Sequence, residues 1–175
     1  MKKIFIILIL INNTHALSDK LLKNGFIGKD MDYLKDQNIS SPEKQIILIY
    51  NHGQVNHDKP AKNVCVWKNG IRNFASLVGK KINGKEIKLY LLCTDHLAGD
   101  DWKRLWTGEK LNPPYKGKPK LEKRLEANLD LIDNFVKKGV PNKQIIVTGH
   151  SCGGWLTMML TARYPNKVGG GISLM

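Results

Sequence analysis

Three short, unbroken apolar runs constrain this chain most. They are Ile46-Ile47-Leu48-Ile49-Tyr50, then Ile87 with Leu89-Tyr90-Leu91-Leu92, then Ile145-Ile146-Val147. A strand with one wet face alternates apolar and polar residues. An unbroken run fits a strand buried on both faces, as in a parallel sheet covered by helices. A fourth strand is expected to begin within Val168 to Met175.

Helical patterns separate the runs. Val64, Trp67, Ile71, Phe74, Ala75 and Val78 fall at helical spacing. Leu121, Leu125, Leu129, Ile132 and Val136 recur at i, i+4, i+8, i+11 and i+15, which places them on one helix face, and Gly139 and Pro141 end that helix. Trp155 to Arg163 is apolar nearly all round, so this helix is expected to be buried. The order β-α-β-α-β-α-β predicts right-handed crossovers and an α/β fold, a three-layer sandwich with a mostly parallel sheet.

Ahead of this pattern the chain reads differently. Lys2 and Lys3, the apolar run Ile4 to Ile11 and the polar, small residues through Ala16 have the layout of a secretory signal peptide. The apolar run is too short to span a bilayer, which takes roughly 20 residues. The expected division is a signal peptide over 1–16, a lead-in over 17–44 read as a loop with a short helix at most, and one partial domain over 45–175. The protein is then expected in the periplasm or outside the cell, with no stable membrane span after cleavage; an uncleaved N-terminal anchor or a buried strand is the plain alternative.

Composition excludes little more. With 42% hydrophobic and 25% charged residues the 175-residue chain is an ordinary globular protein. The formal charge of +13 falls to +11 without Lys2 and Lys3. The lysines are scattered rather than clustered, so no nucleic-acid partner is expected. Cys65, Cys93 and Cys152 are an odd number for an exported chain, and a Cys65–Cys93 bridge is one possible pairing. Their spacing matches no metal site, and Asp100-Asp101 lacks a supporting ligand set. No metal and no cofactor are expected, and the oligomeric state is left open.

The chemistry lies in Gly149-His150-Ser151-Cys152-Gly153. The pattern follows a buried-strand run directly and opens a buried helix. A Ser at such a tip is forced into a strained backbone and presented above the sheet, while the helix N-terminus supplies positive partial charge beneath a developing oxyanion. Ser151 is then a nucleophile and the Cys152 N–H an oxyanion donor. Gly149 and Gly153 leave room for strand and helix to approach at the turn. A serine in a glycine-rich N-cap turn is the plain alternative. Asn51-His52-Gly53-Gln54 ends the first strand, where Gly53 or Gln54 can aim a second N–H at the same site, or simply make a turn.

Tyr50-Asn51-His52-Gly53 after one strand and Gly149-His150-Ser151-Cys152-Gly153-Gly154 after another resemble the α/β-hydrolase family, in particular its esterase, lipase and dienelactone-hydrolase-like members. The likeness runs from Gln45 to Met175 and corresponds to the family's third to sixth strands. It implies Ser151 as nucleophile, the N–H groups of Cys152 and of Gln54 or Gly53 as the oxyanion hole, and His150 as a support of the turn rather than the base. The family's opening antiparallel hairpin has no clear counterpart in Leu17 to Lys44. The family also orders its triad Ser, acid, His, and no Asp, Glu or His follows Ser151. The chain is therefore expected to be a fragment whose acid and base lie beyond Met175, poorly soluble and inactive alone, with Val168–Leu174 as an exposed apolar edge. Within the chain, His52, His57 beside Asp58, and His96 beside Asp95 are weaker candidates for the base.

Thr94 to Lys120 is long and irregular. Trp102, Trp106 and Tyr115 either line a substrate wall or form a satellite core. The expected activity is hydrolysis of a small carboxylic ester through an acyl-enzyme at Ser151. Acyl transfer to another acceptor and a non-catalytic binding paralogue are the competing readings.

Overall fold

The structure, a computed structural model, describes residues 24–53, 68–93 and 120–174. Along the chain run β1 (Gly25–Ile27), β2 (Gln45–Asn51), α1 (Lys68–Ala75), β3 (Lys81–Ile82), β4 (Lys85–Leu92), α2 (Lys120–Lys137), β5 (Ile145–His150), α3 (Cys152–Arg163) and β6 (Gly170–Leu174). Single 3-10 turns at Pro42–Lys44 and Asn142–Gln144 lead into β2 and β5.

The strands form one sheet in the order β1-β4-β2-β5-β6, with β3 paired to β4 off that path. β4, β2, β5 and β6 are parallel, in a register that sets Leu48 beside Leu89, Ile49 beside Val147 and Thr148 beside Ile172. The three apolar runs of the sequence are thus three adjacent central strands. Their alternate side chains feed two cores. Ile47, Ile49, Ile145 and Val147 pack with Leu121, Leu125, Ile132 and Phe135 of α2 and Leu156 and Leu160 of α3. Leu48, Tyr50, Ile87, Leu89 and Leu91 pack with Ile71, Phe74 and Ala75 of α1 on the opposite face. The expected three-layer α/β architecture is present.

Four details differ from the sequence reading. The lead-in contains β1, antiparallel to β4 with Phe26 opposite Tyr90. Three residues carry no readable period, and the outer edge of β1 is completed by a side chain. Gln37 Oε1 accepts from the Phe26 N–H (2.6 Å) and Gln37 Nε2 donates to the Phe26 carbonyl (2.9 Å). Second, β3 and β4 make a tight hairpin through Asn83 (φ 49°) and Gly84 (φ 76°), the left-handed pair that a two-residue type I′ turn requires.

Third, Val136 is 37% exposed while Phe135 is buried, because the buried stripe of α2 is rotated towards Arg124, Asn128 and Phe135. Fourth, α3 is only half covered. Leu156, Thr157 and Leu160 are buried, but Trp155 is 46% and Met158 42% exposed. A helix lying on one sheet face hides one side, whatever the polarity of the other. An open apolar groove of about 480 Å³ lies on the α1 face, lined by Ile46, Leu48, Leu77, Ile82, Ile87 and Ile172. No described helix is long and apolar enough to cross a membrane.

Candidate active site

The parallel register brings three chain segments to the carboxyl edge of the sheet. Asn51 lies beside Gly149, and His150 beside Leu174. Beyond these positions β2 runs into His52-Gly53 and β5 into Ser151.

Ser151 has φ 53° and ψ −119°, a conformation that L-residues rarely hold. It is exposed, although its neighbour Cys152 is buried. Two backbone bonds fix the turn. The Ser151 N–H donates to the Leu174 carbonyl (2.8 Å), and the Trp155 N–H donates to the Ser151 carbonyl (3.0 Å), which begins α3. The turn is tight enough to require glycine on both sides. A β-carbon on Gly149 would stand 2.3 Å from the Gly153 carbonyl carbon, and one on Gly153 would stand 2.1 Å from the Asn51 carbonyl oxygen. Gly154 lies against Ser173 and Leu174 in the same way. Cys152 opens a 12-residue helix, so its N–H belongs to the first turn, where no intrahelical acceptor exists.

Gly53 is at the Ser151 turn. A β-carbon built on it would lie 3.5 Å from Ser151 Cβ and 3.4 Å from the His150 carbonyl oxygen. The structure therefore joins Gly53, Gly149, His150, Ser151, Cys152 and Gly153 at the carboxyl edge of the sheet. His52 is fully buried, and its Nδ1 donates to the Gly53 carbonyl (2.7 Å). Gln54, His57, Asp58, Cys65, Asp95, His96, Trp102, Trp106 and Tyr115 lie outside the described residues. Cys93 is disulfide-bonded, and Cys152 is a free thiol. The described residues contain no group of three His, Cys, Asp or Glu able to hold a metal ion. The apolar groove is not lined by these residues and lies elsewhere on the sheet.

Sequence reasoning missed a polar cluster under this edge. Arg124, Asn128 and Asn51 are all fully buried. The Arg124 Nη2 donates to the His52 carbonyl (2.6 Å). Asn51 and Asn128 exchange two amide hydrogen bonds (3.0 and 2.9 Å), and Asn128 Nδ2 also donates to the Arg124 carbonyl (2.8 Å). The available signal was position, since Arg124 and Asn128 sit three and seven residues after Leu121, on the face that the apolar period marks as core. Tyr50, one residue before Asn51, is also fully buried. Burial pushes its phenol up to about 12, against the opposing pull of the Arg124 guanidinium.

Residues 116–175 match the phospholipase/carboxylesterase family. No curated protein matches the chain. Among solved structures, a phospholipase/carboxylesterase from Dyadobacter fermentans aligns with 17% identity and a TM-score of 0.49, over 87% of this chain and 59% of its own. Brefeldin A esterase, a bacterial homologue of human hormone-sensitive lipase, aligns with 16% identity and a TM-score of 0.37, over 89% of this chain and 43% of its own. The chain thus spans less than two thirds of the length of either.

Proposed function

We propose, from a three-layer α/β chain that matches the phospholipase/carboxylesterase family over residues 116–175, that it hydrolyses carboxylic esters through an acyl-enzyme on Ser151. The observation that carries this reading is the strained, exposed Ser151 at a strand-to-helix turn, with the Gly53 backbone packed against it. Ser151 Oγ attacks the ester carbonyl carbon and gives up its proton to a base. The carbonyl electrons move onto oxygen, and the N–H of Cys152 and the N–H of Gly53 or Gln54 donate hydrogen bonds to the oxyanion. Collapse expels the alcohol, which takes the proton back, and water then releases the acid by the same route. The base of this reading is a histidine outside the described residues. Gly149, His150 and Gly153 hold the turn.

A fluorophosphonate probe tests this in a full-length protein that includes the acid and the base. Labelling at Ser151 that disappears in Ser151→Ala, together with release of acid from a p-nitrophenyl ester, is the expected result. A folded protein that takes no label overturns the reading, and labelling without hydrolysis redirects it to acyl transfer. The basic, apolar, then polar start of the chain supports export to the periplasm or beyond. The Cys93 disulfide supports it independently, since such bonds persist in oxidising compartments. A reporter fused to residues 1–20 that stays in the cytoplasm overturns the export reading.

A further inference from the structure

We propose that Arg124 and Asn128 of α2 are positioning residues that aim the oxyanion loop at Ser151. The inference rests on the ester-hydrolase reading and names a device that the reading does not contain.

The argument starts from cost. A guanidinium stays charged at any physiological pH, and taking it out of water is expensive unless its hydrogen bonds replace those of water. Arg124 is nevertheless fully buried, and its Nη2 holds the His52 carbonyl at 2.6 Å. That carbonyl belongs to the His52–Gly53 peptide. In a trans peptide the C=O and the following N–H point in opposite directions within one rigid plane. Fixing the His52 oxygen on α2 therefore fixes the Gly53 N–H in the opposite direction. The Gly53 carbonyl is held as well, by His52 Nδ1 at 2.7 Å. Both carbonyls of the loop are thus engaged on the protein side.

Asn128 completes the clamp one turn further along α2. Its amide pairs reciprocally with that of Asn51, and Asn51 Nδ2 also reaches the Thr148 carbonyl (3.4 Å) on the neighbouring strand. The carbonyls of Asn51 and His52 are the surfaces against which Gly153 packs, at 2.1 and 2.7 Å from a built β-carbon. One polar cluster therefore sets the distance between the two chain segments that would supply the oxyanion donors. Neither Arg124 nor Asn128 touches the reacting atoms in this account. They act through the backbone of residues 51–53.

The test uses Arg124→Met, Arg124→Lys and Asn128→Ala in the full chain, with fluorophosphonate titration counting competent Ser151 in each. Displacing a positioned group by about 1 Å costs roughly 100-fold in rate, so Arg124→Met is expected to lower kcat per titrated serine by about that factor, with KM within about threefold. Arg124→Lys, which keeps a donor, recovers part of the loss, and Asn128→Ala falls between it and the wild type. Hydrogen exchange of the amides at 51–53 quickens in the same order. A merely structural role would lower the number of titratable serines and leave kcat per serine within twofold, and that result overturns the proposal. Loss of cooperative melting in all three variants overturns it equally, by making the cluster part of the core. If the wild type takes no label, the ester-hydrolase reading fails. The exchange measurement then still decides whether Arg124 and Asn128 hold the loop.

Discussion

Gly153 lies so close to Asn51 that a β-carbon on it would stand 2.1 Å from the Asn51 carbonyl oxygen. This contact joins the first helical turn of α3 to the end of β2, and backbone cannot retreat as a flexible side chain can. Gly153→Ala is expected to destabilise the fold by on the order of 3 kcal/mol, the upper range for overpacking. Gly84→Ala, with φ 76° but open space around it, is expected to cost about 1 kcal/mol through backbone strain alone. Urea midpoints at constant m-value check the pair.

Ser151 holds its strained backbone whatever its side chain does. Ser151→Gly is expected to stabilise the protein by about 1 kcal/mol, because glycine occupies φ 53° without a β-carbon penalty. Ser151→Ala keeps the strain and so leaves the melting temperature nearly unchanged, while ester turnover falls by roughly 10⁴- to 10⁶-fold. A stabilised, inactive Gly variant beside an isostable, inactive Ala variant would separate the role of the turn from that of the hydroxyl.

Tyr50 gives the stability a defined alkaline signature. Its phenol titrates at about 12 in the folded protein and at 10.0 ordinarily. Between these values the unfolded chain has lost the proton and the native state still holds it, so stability falls as pH rises. The contribution is fully present below pH 10 and lost by about pH 12, and amounts to roughly 2–3 kcal/mol. Tyr50→Phe is expected to flatten this fall. At neutral pH the substitution costs less than about 1 kcal/mol, since the buried hydroxyl has no hydrogen-bond partner among the described residues. The difference between the two proteins' unfolding free energies, followed from pH 8 to 12, is the measurement.

Ile172 is 41% exposed on β6, which pairs with β5 and with no other strand among the described residues. An apolar side chain on an open edge invites association. Ile172→Lys is expected to raise the soluble yield and lower the binding of a hydrophobic dye, with a stability change within about 0.5 kcal/mol. Unchanged dye binding would place the sticky surface elsewhere, with Trp155 and Met158 of α3 as the next candidates.

The central strands were legible because burial on both faces leaves an unbroken apolar run, a signal that needs no partner to be read. The turn at Ser151 was legible because Gly149 is dictated by its contact with Gly153, four residues on. β1 was not, since a three-residue strand completed by the Gln37 side chain has no period of its own. The β3–β4 hairpin is written in Asn83-Gly84, a pair suited to the left-handed turn it makes. The exposure of Trp155 and Met158 ran against their apolarity, because composition cannot say which side of a helix a sheet will cover.

By itself, then, the sequence determined the alternation of strands and helices, the parallel sheet and the strained serine, since each depends on neighbours within one turn or one strand. Tertiary structure decided which segments meet that serine. His52-Gly53 lies about a hundred residues before Ser151, and Arg124 and Asn128 lie between them on a helix whose period marks those positions as core without saying what they bind. Only the strand order, which sets Asn51 beside Gly149 and lays α2 across both, turns three buried polar residues into a clamp on the loop. The reason is that a buried hydrogen bond is specified by its partner's position in space, and that position depends on the register of the whole sheet.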